Sequence, residues 1–361
     1  MAVVVGFSDG NLTISGDADG HVEVTSERHW MGSSYRHDLT VTDNGVELGT
    51  YQSYGGNIRV SLDQDGPGQD DSVVINLGVN DDMENINVDL GNGNNSFQIR
   101  DNGLGFSGVQ VDRIIYQGGS GNDVVRFDMV ANLMARAELG HGDDDFRVGC
   151  NQGRLRVVGG AGHDSFVTGE RAHLGPTIAI LGPGNDSAHL AARSYSTTSI
   201  WAGAGEDDVT LAADTHVGDL FVHLGQDNNV ANLYGGVFGA LRIRGGEGAD
   251  QISLDSGYVT GFTSILMGDG DNHLNLGCHF NGDSMVYVRG GAGNDQVELT
   301  EDFESAGDFW SALGHGDNTL DSLGDIDGFM TAVSFNSDDL FSNDGYVGGR
   351  LWLKPGGQRG G

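Results

Sequence analysis

Aspartate and asparagine recur at one position of a glycine-rich turn along most of this 361-residue chain. Each stands two residues after the second glycine of a G-x-G pattern, as Asp123 does in GGSGNDV (118–124), and Asp227 replaces that glycine in one copy. The row consists of Asn95, Asp123, Asp144, Asp164, Asp186, Asp207, Asn229, Asp250, Asn272, Asp295 and Asn318. Side-chain oxygens held in a turn can bind a hard cation together with backbone carbonyl oxygens. They can equally accept hydrogen bonds from turn backbone groups without any metal. The row therefore predicts either a line of cation sites or a metal-free ladder of turns.

The elements that position this row form a repeat. Successive turns lie about 22 residues apart between 121 and 316. The residue two places after the Asp or Asn is apolar in every copy, as in Val125, Phe146 and Leu320, and a second apolar run precedes each turn. Alternation of apolar and polar residues after a glycine turn is typical of a half-buried strand. Each unit is therefore predicted to be a strand, a turn, a second strand and a loop.

A unit of this size must bury its apolar face against its neighbours, which predicts an all-β parallel β-solenoid, of the β-helix or β-roll type, with coils of about 22 residues. Turns of the GG-x-G-x-D type alternate with turns of the L-G-x-G type, so a coil of about 43 residues that carries both is an alternative. We favour the shorter coil, because two strands and two turns fill about 22 residues.

The repeat predicts three regions. Residues 57–323 are expected to form the repeat solenoid. Residues 1–56 keep no such period and are expected to form an N-terminal cap or an irregular first β part. Residues 324–361 are expected to form a C-terminal cap with a mobile tail, because KPGGQRGG (354–361) offers nothing to pack.

Composition excludes several partners. The chain carries 52 acidic and 18 basic residues, a net charge of −34, with 41 Asp and a single lysine, Lys354. Nucleic acid is not expected as a partner, because phosphate binding needs a basic patch. Membrane insertion is not expected either, because no apolar stretch is long enough. Cys150 and Cys278 occupy the same repeat position six units apart, too far for a disulfide, so two free thiols are predicted.

Four turns resemble a known calcium-binding repeat. GGSGNDVVR (118–126), GGAGHDSFV (159–167), GGEGADQIS (245–253) and GGAGNDQVE (290–298) are similar to the RTX nonapeptide G-G-x-G-x-D-x-U-x, in which U is large and apolar. The resemblance implies a parallel β-roll in which calcium lies between successive turns, held by the Asp carboxylates and turn carbonyls. The eleven Asp and Asn positions would then be the metal ligands, and calcium the cofactor.

This chain departs from the RTX pattern in two respects. The motif occurs once per 22 residues rather than in tandem every nine, and four of the eleven positions are Asn. These departures leave one metal-binding edge, or two edges of the larger coil. A cation is also favoured because stacked carboxylates repel each other by about 1 kcal/mol per pair even in water.

The expected function follows from the shape and from missing motifs. No H-E-x-x-H or Walker-type sequence is present. We expect a non-enzymatic structural protein, secreted or at the cell surface, stabilised by calcium and able to build fibres or layers or to act as an adhesin. Solenoid ends expose strand edges, so head-to-tail association through 1–56 and 324–361 is expected. No N-terminal signal peptide is seen, so the export route stays open.

The alternative is a carbohydrate-active β-helix enzyme, a polysaccharide lyase or an epimerase, with carbohydrate as the partner. Its candidate residues are the local cluster Arg126, Arg147, Arg154 and Arg156, although arginines that pair with the surplus acids explain the cluster equally. An uninterrupted groove with clustered Arg and Tyr on one sheet would favour the enzyme. Smooth faces and self-complementary ends would favour the structural protein.

Overall fold

The computed structural model describes residues 3–16, 20–32, 35–53, 55–62, 68–78, 82–101, 110–281, 285–333, 335 and 338–354. Within these ranges the chain forms strands, turns and loops, and contains no helix. It divides into two compact units, unit 1 (Met1–Leu181) and unit 2 (Gly182–Gly361).

The strands of unit 1 are β1 (Val4–Ser8), β2 (Asn11–Gly16), β3 (His21–Trp30), β4 (Tyr35–Asp43), β5 (Val46–Ser53), β6 (Gly56–Leu62), β7 (Ser72–Leu77), β8 (Asp82–Gly91), β9 (Ser96–Asp101), β10 (Gln110–Gly118), β11 (Val124–Asp128), β12 (Ala131–His141), β13 (Asp145–Val148), β14 (Leu155–Ala161), β15 (Ser165–Thr168), β16 (His173–Leu174) and β17 (Thr177–Pro183). The strands of unit 2 are β18 (Ser187–Leu190), β19 (Arg193–Ser194), β20 (Thr198–Ala204), β21 (Asp208–Leu211), β22 (His216–Val217), β23 (Leu220–Gln226), β24 (Val230–Leu233), β25 (Gly236–Val237), β26 (Leu241–Arg244), β27 (Gln251–Val259), β28 (Thr263–Gly268), β29 (His273–Phe280), β30 (Val286–Gly290), β31 (Gln296–Leu299), β32 (Glu304–Ser305), β33 (Phe309–Ala312), β34 (Thr319–Ser322), β35 (Asp325–Ile326), β36 (Met330–Val333), β37 (Leu340–Asn343) and β38 (Leu351–Lys354).

Unit 1 is built from two sheets that each gain one strand per coil. Its first sheet follows the order β1-β2-β6-β8-β10-β12-β14-β17. Its second sheet pairs β7, β9, β11, β13 and β15 in parallel. In that sheet Val125, Phe146 and Phe166 stand in register on successive strands, so one coil is close to 21 residues.

Antiparallel strands cover the N-terminal end of unit 1. β1 pairs antiparallel with β2, and β3, β4 and β5 form an antiparallel meander beside β7. The first apolar residues of the core, among them Leu12, Val22 and Leu39, are completely buried as a result.

Unit 2 repeats the same arrangement with parallel strands. Its first sheet follows the order β20-β23-β26-β28-β30-β33-β36-β38. Its second sheet follows β18-β21-β24-β27-β29-β31-β34-β37. Parallel coils therefore continue past residue 323, where the glycine motif fades. Of the predicted mobile tail only Lys354 lies within the described residues.

The core lies between the two sheets of each unit. Inward residues alternate with outward ones along most of the long strands, and in unit 1 the rings of Phe97, Phe127, Phe146 and Phe166 form one column with centroids 5.0–6.1 Å apart. Cys150 and Cys278 are both buried and free, which confirms the two predicted thiols.

Glycine is required at the turns for two reasons that coincide at Gly160. Its φ is +129°, a left-handed conformation that disfavours any residue with a side chain. A Cβ at this position would also lie 1.7 Å from the carbonyl oxygen of Gly140 in the preceding coil. Coils stack at strand spacing only because these turns carry no side chain.

The fold prediction is confirmed. The chain is a parallel β-solenoid of about 12 turns with a spacing of about 22 residues, so the shorter coil is the correct one.

Candidate functional site

The predicted row of Asp and Asn side chains forms a buried ladder at the turn that leads from the first sheet into the second. In unit 1 this inner ladder contains Asp71, Asn95, Asp123, Asp144 and Asp164, each at most 2% exposed. From Asn95 onward, the Oδ1 atom of each residue accepts a hydrogen bond from the backbone N–H of the ladder residue one coil earlier, at 2.7–3.0 Å. Every coil is thus tied to the one before it by a side chain.

The inner ladder of unit 2 has the same geometry. Its members are Asp186, Asp207, Asn229, Asp250, Asn272, Asp295, Asn318 and Asp339. Each Oδ1 from Asp207 onward accepts the N–H of its predecessor at 2.8–3.3 Å. From Asp207 onward, Asp and Asn alternate strictly.

A second, exposed row runs beside the first with the opposite polarity. In this outer ladder the backbone N–H of Asp143 donates to Oδ1 of Asn122, one coil earlier, and the N–H of His163 donates to Oδ1 of Asp143. The same direction holds in unit 2, where the N–H of Asn294 donates to Oδ1 of Asp271. Neighbouring coils are therefore clamped from both sides, by inner oxygens pointing back and outer oxygens pointing forward.

Burial perturbs the carboxyl groups of the inner ladder. Loss of solvent raises the pKa of Asp144 from 3.8 to about 7, with further contributions from the charges of Asp123 and Asp164. Burial likewise raises the pKa of Asp207 to about 7, and the charge of Asp186 adds to the effect. The Oδ2 atoms of Asp144 and Asp207 have no hydrogen-bond partner among the described residues. These two carboxyl groups consequently bind a proton near neutral pH.

In other coils, hydrogen-bond donors limit the rise in the pKa of the ladder carboxyl groups. The Oδ2 atom of Asp123 accepts the hydroxyl of Tyr116 at 2.7 Å, and the pKa of Asp123 rises only to about 6, with burial as the main cause. In unit 2 the Nδ2 group of Asn272 donates to Oδ1 of Asp295 at 2.9 Å, and burial raises the pKa of Asp295 to about 6. An Asn between two Asp residues thus separates the charges and supplies an extra donor.

The glycine doublets have a steric role in this packing. A Cβ on Gly118 would lie 2.2 Å from Oδ2 of Asp123 and 2.2 Å from the carbonyl oxygen of Leu139 in the next coil. A Cβ on Gly245 would lie 2.3 Å from Oδ2 of Asp250 and 2.0 Å from the Met267 carbonyl. The first glycine of the motif therefore makes room for the aspartate of its own turn.

The chemistry of these oxygens suits calcium, but their number is small. A carboxylate oxygen and a carbonyl oxygen adjoin each doublet glycine, whereas Ca²⁺ takes six to eight oxygens at about 2.3–2.6 Å. Among the described residues no group of three or more His, Cys, Asp or Glu side chains converges on a potential metal position. Calcium at the predicted ligands stays a prediction, and a bound ion would need water or outer-ladder oxygens to complete its shell.

All eleven predicted residues lie in the two inner ladders, and the sequence pattern missed two further members. Asp71 was missed because the repeat is shifted by one residue in this coil. Asp70 stands two residues after the glycine, where the pattern predicts the ladder residue, but it belongs to the outer ladder, where its Oδ1 accepts the N–H of Asn94. Asp339 lies 21 residues after Asn318, a spacing that would have revealed it although the glycines have faded.

The arginines suggested as an enzymatic cluster do not share one surface. Arg126 and Arg147 stand in register on β11 and β13 of the second sheet, whereas Arg156 lies on β14 of the first. Arg147 forms an ion pair with Asp145 at 3.0 Å. For Arg147, this agrees with the expectation that surface arginines pair with surplus acid.

Comparison of the chain with protein-family models, curated proteins and solved structures finds no match. No membrane-crossing helix is found in the part of the chain that the structure describes.

Proposed function

We propose that this chain is a non-enzymatic structural β-solenoid that works outside the cell or at its surface as a stiff scaffold, stabilised by calcium along its turn edge. The observation that carries this proposal is the pair of opposed ladders, which link successive coils in each unit by side chain to backbone bonds. Because of these hydrogen bonds, each coil fixes the position of the next one. This is expected of a protein whose role depends on its length and surface.

Calcium is part of the proposal because a cation would offset the cost of ionising buried carboxyl groups. The test is thermal unfolding in EDTA and in millimolar calcium, followed by circular dichroism. Calcium is expected to raise the midpoint of the wild-type chain. A variant with Ala at Asp123, Asp164, Asp250 and Asp295 is expected to lose that calcium-dependent increment, whatever its midpoint in EDTA. Replacement of the exposed Asp208 by Ala is the control. An unchanged wild-type midpoint would remove calcium from the proposal and leave the scaffold.

The C-terminal end of unit 2 supports assembly. Phe341, Leu351 and Leu353 stand in register with buried residues of the preceding coil, yet they remain partly exposed. An open cavity of about 640 Å³ lies against Phe341 and Leu353. In the described part of the chain β37 pairs with β34 and β38 with β36, and no strand covers their outer edges. Exposed apolar ends with free strand edges favour pairing with another chain.

Sedimentation velocity tests the assembly. The wild-type chain is expected to form concentration-dependent oligomers, and Leu353→Glu is expected to reduce them. Leu133→Glu, at a leucine of unit 1 that is 54% exposed, is the control and should leave oligomers intact. A wild-type chain that stays monomeric at high concentration would contradict the assembly.

The carbohydrate-active enzyme remains the second candidate because unit 2 has a groove with clustered arginines. That groove presents arginine and aromatic side chains, and no Asp or Glu lines it among the described residues. It supports binding more directly than catalysis.

A further inference from the structure

The outer surface of the first sheet in unit 2 carries a ridge of rings and guanidinium groups. The ridge runs across five coils in register, through Trp201, His223, Arg244, Leu266 and Arg289. The Trp201 and His223 rings are parallel within 7° and their centroids are 4.0 Å apart. Because the two rings stack on each other, the ridge offers ring edges rather than both ring faces to solvent.

A second column lies two residues away on the same strands. It passes through Phe221, Arg242, Ser264, Tyr287 and Trp310. The guanidinium of Arg242 lies 5.2 Å from the centre of the Phe221 ring, and Tyr287 and Trp310 stack at 4.6 Å. The side chain of Ser264 is short, so the column rises less far from the sheet there than at its larger neighbours Arg242 and Tyr287.

Two grooves follow the ridge, one on each side. The groove between the columns has a volume of about 330 Å³ and is lined by Trp201, His223, Arg242 and Arg244. The other, about 390 Å³, lies between the ridge and the glycines of the turns, with Gly225 among them, and Glu247 lines it on the turn side. Both run along the solenoid axis, where coils repeat at about 4.8 Å. They therefore suit an extended chain better than a compact ligand.

The strand positions of this face carry a charge opposite to that of the protein, and the acid Glu247 lies beside them in a turn. On a chain of net charge −34, no outward strand position of the first sheet in unit 2 is Asp or Glu among the described residues. The outward positions of the second sheet do include acids, among them Asp208, Glu298 and Asp321. Arg242 and Arg244 make no ion pair in the described part of the chain, although Arg147 of unit 1 does.

We propose that this arginine–aromatic face of unit 2 binds an extended acidic polysaccharide, a polymer of uronic acid or a similarly charged sugar. Guanidinium groups bind carboxylates through paired hydrogen bonds, and indole and serine groups donate to sugar oxygens. Aromatic edges carry positive partial charge and favour anionic neighbours. The proposal extends the scaffold function by naming a ligand, and it does not depend on calcium or on assembly.

Two other occupants fit the face less well. Single-stranded nucleic acid binds through bases stacked on open aromatic faces and through a strongly basic groove. Here one face of the Trp201 ring is covered by His223, so this ring does not offer both faces for base stacking. The acidic turn edge of a second copy would match the charge of the arginines, but it consists mainly of glycine and short Asp or Asn side chains, which reach less far into the two grooves than an extended polymer does.

The experiment measures binding of polygalacturonate by isothermal titration calorimetry in EDTA, so that calcium cannot bridge two acidic partners. The wild-type chain is expected to bind this polymer and not its methyl-esterified form, which lacks the charge. Arg244→Gln and Trp201→Ala are each expected to weaken binding by about tenfold. Arg193→Gln removes an equal charge from an exposed position on β19 and should leave binding unchanged. Circular dichroism melts establish that each variant is folded.

Several outcomes would overturn the proposal. They are no binding of polygalacturonate, equal binding of the esterified polymer, or equal loss in Arg193→Gln. Binding of oligo-dT as tight as that of the polyuronate, lost in the same variants, would assign the face to nucleic acid. Oligomers that disappear in Arg244→Gln, without any polysaccharide binding, would assign it to a second copy. None of these results changes the calcium-dependent melting, so the two proposals fail separately.

Discussion

Replacing Asp144 by Asn should stabilise the protein, although it removes a residue of the predicted calcium row. Oδ1 of Asp144 accepts the N–H of Asp123 at 2.7 Å, and an Asn oxygen can do the same. The added Nδ2 group can donate to the turn, as Nδ2 of Asn272 does to the Gly270 carbonyl at 3.0 Å. The substitution therefore keeps the ladder bond and removes a buried ionisable group.

The magnitude follows from the raised pKa of Asp144. With 3.8 in the unfolded chain and about 7 in the folded one, the folded state prefers the protonated carboxyl. Below pH 3.8 the carboxyl group is protonated in both states and does not lower the stability of the folded state. The stability is lost as pH rises above this value, and the loss is complete once pH has passed through about 7. At about pH 8 the ionised group costs at most about 4 kcal/mol, and at about pH 5 about 2 kcal/mol. We expect Asp144→Asn to raise the free energy of unfolding by about 3 kcal/mol at the higher pH and about 1 kcal/mol at the lower.

Urea unfolding followed by circular dichroism in EDTA, at both pH values, measures these differences. Asp143→Asn is the matched control, because Asp143 is exposed and its outer-ladder neighbour Asn122 already shows that Asn serves there. Its effect should be small at both pH values. A gain for Asp144→Asn that equals the control, or that does not shrink on acidification, would refute the reasoning. In millimolar calcium the sign of the effect also reports on the metal, because a ligand lost to Asn would cost calcium-dependent stability.

Three further results are expected. Asn229→Asp should lower the free energy of unfolding by about 2–4 kcal/mol at neutral pH, because it adds a buried carboxylate and removes a donor; urea midpoints measure the loss, which should shrink on acidification. Gly160→Ala should lower the thermal midpoint sharply or prevent folding, whereas Gly6→Ala, with open space around its Cβ, should not. Cys150 and Cys278, whose pKa values burial raises to about 11 and about 12, should react with a thiol reagent only after unfolding; rapid labelling of the native chain would contradict their burial.

The solenoid and the membership of the ladder were predictable because both depend on local sequence. A turn that stacks on its neighbour needs glycine at positions such as Gly160, and an alternating strand needs apolar residues such as Phe146. These requirements recur in every coil, so the sequence repeats them with the period of the fold. The ladder escaped detection only where the pattern slipped by one residue, at Asp71, or lost its glycines, at Asp339.

Other properties depend on the stacking of coils and were not visible in the sequence. The opposed polarity of the two ladders, and the burial that brings Asp144 and Asp207 close to neutral pKa values, arise only when neighbouring coils meet at strand spacing.

The sequence by itself determined a parallel β-solenoid with an Asp and Asn row on its turns, because period, glycine and alternation are properties of single coils. Only the tertiary structure decided which residues of different coils share a surface. Trp201, His223 and Arg244 stand about one coil apart in the chain and form a ridge only through strand register. The fold does not constrain the side chains at outward strand positions. The repeat pattern therefore does not predict which of these positions lack Asp and Glu. The sequence therefore specified the solenoid, and the register of its coils created the arginine–aromatic face.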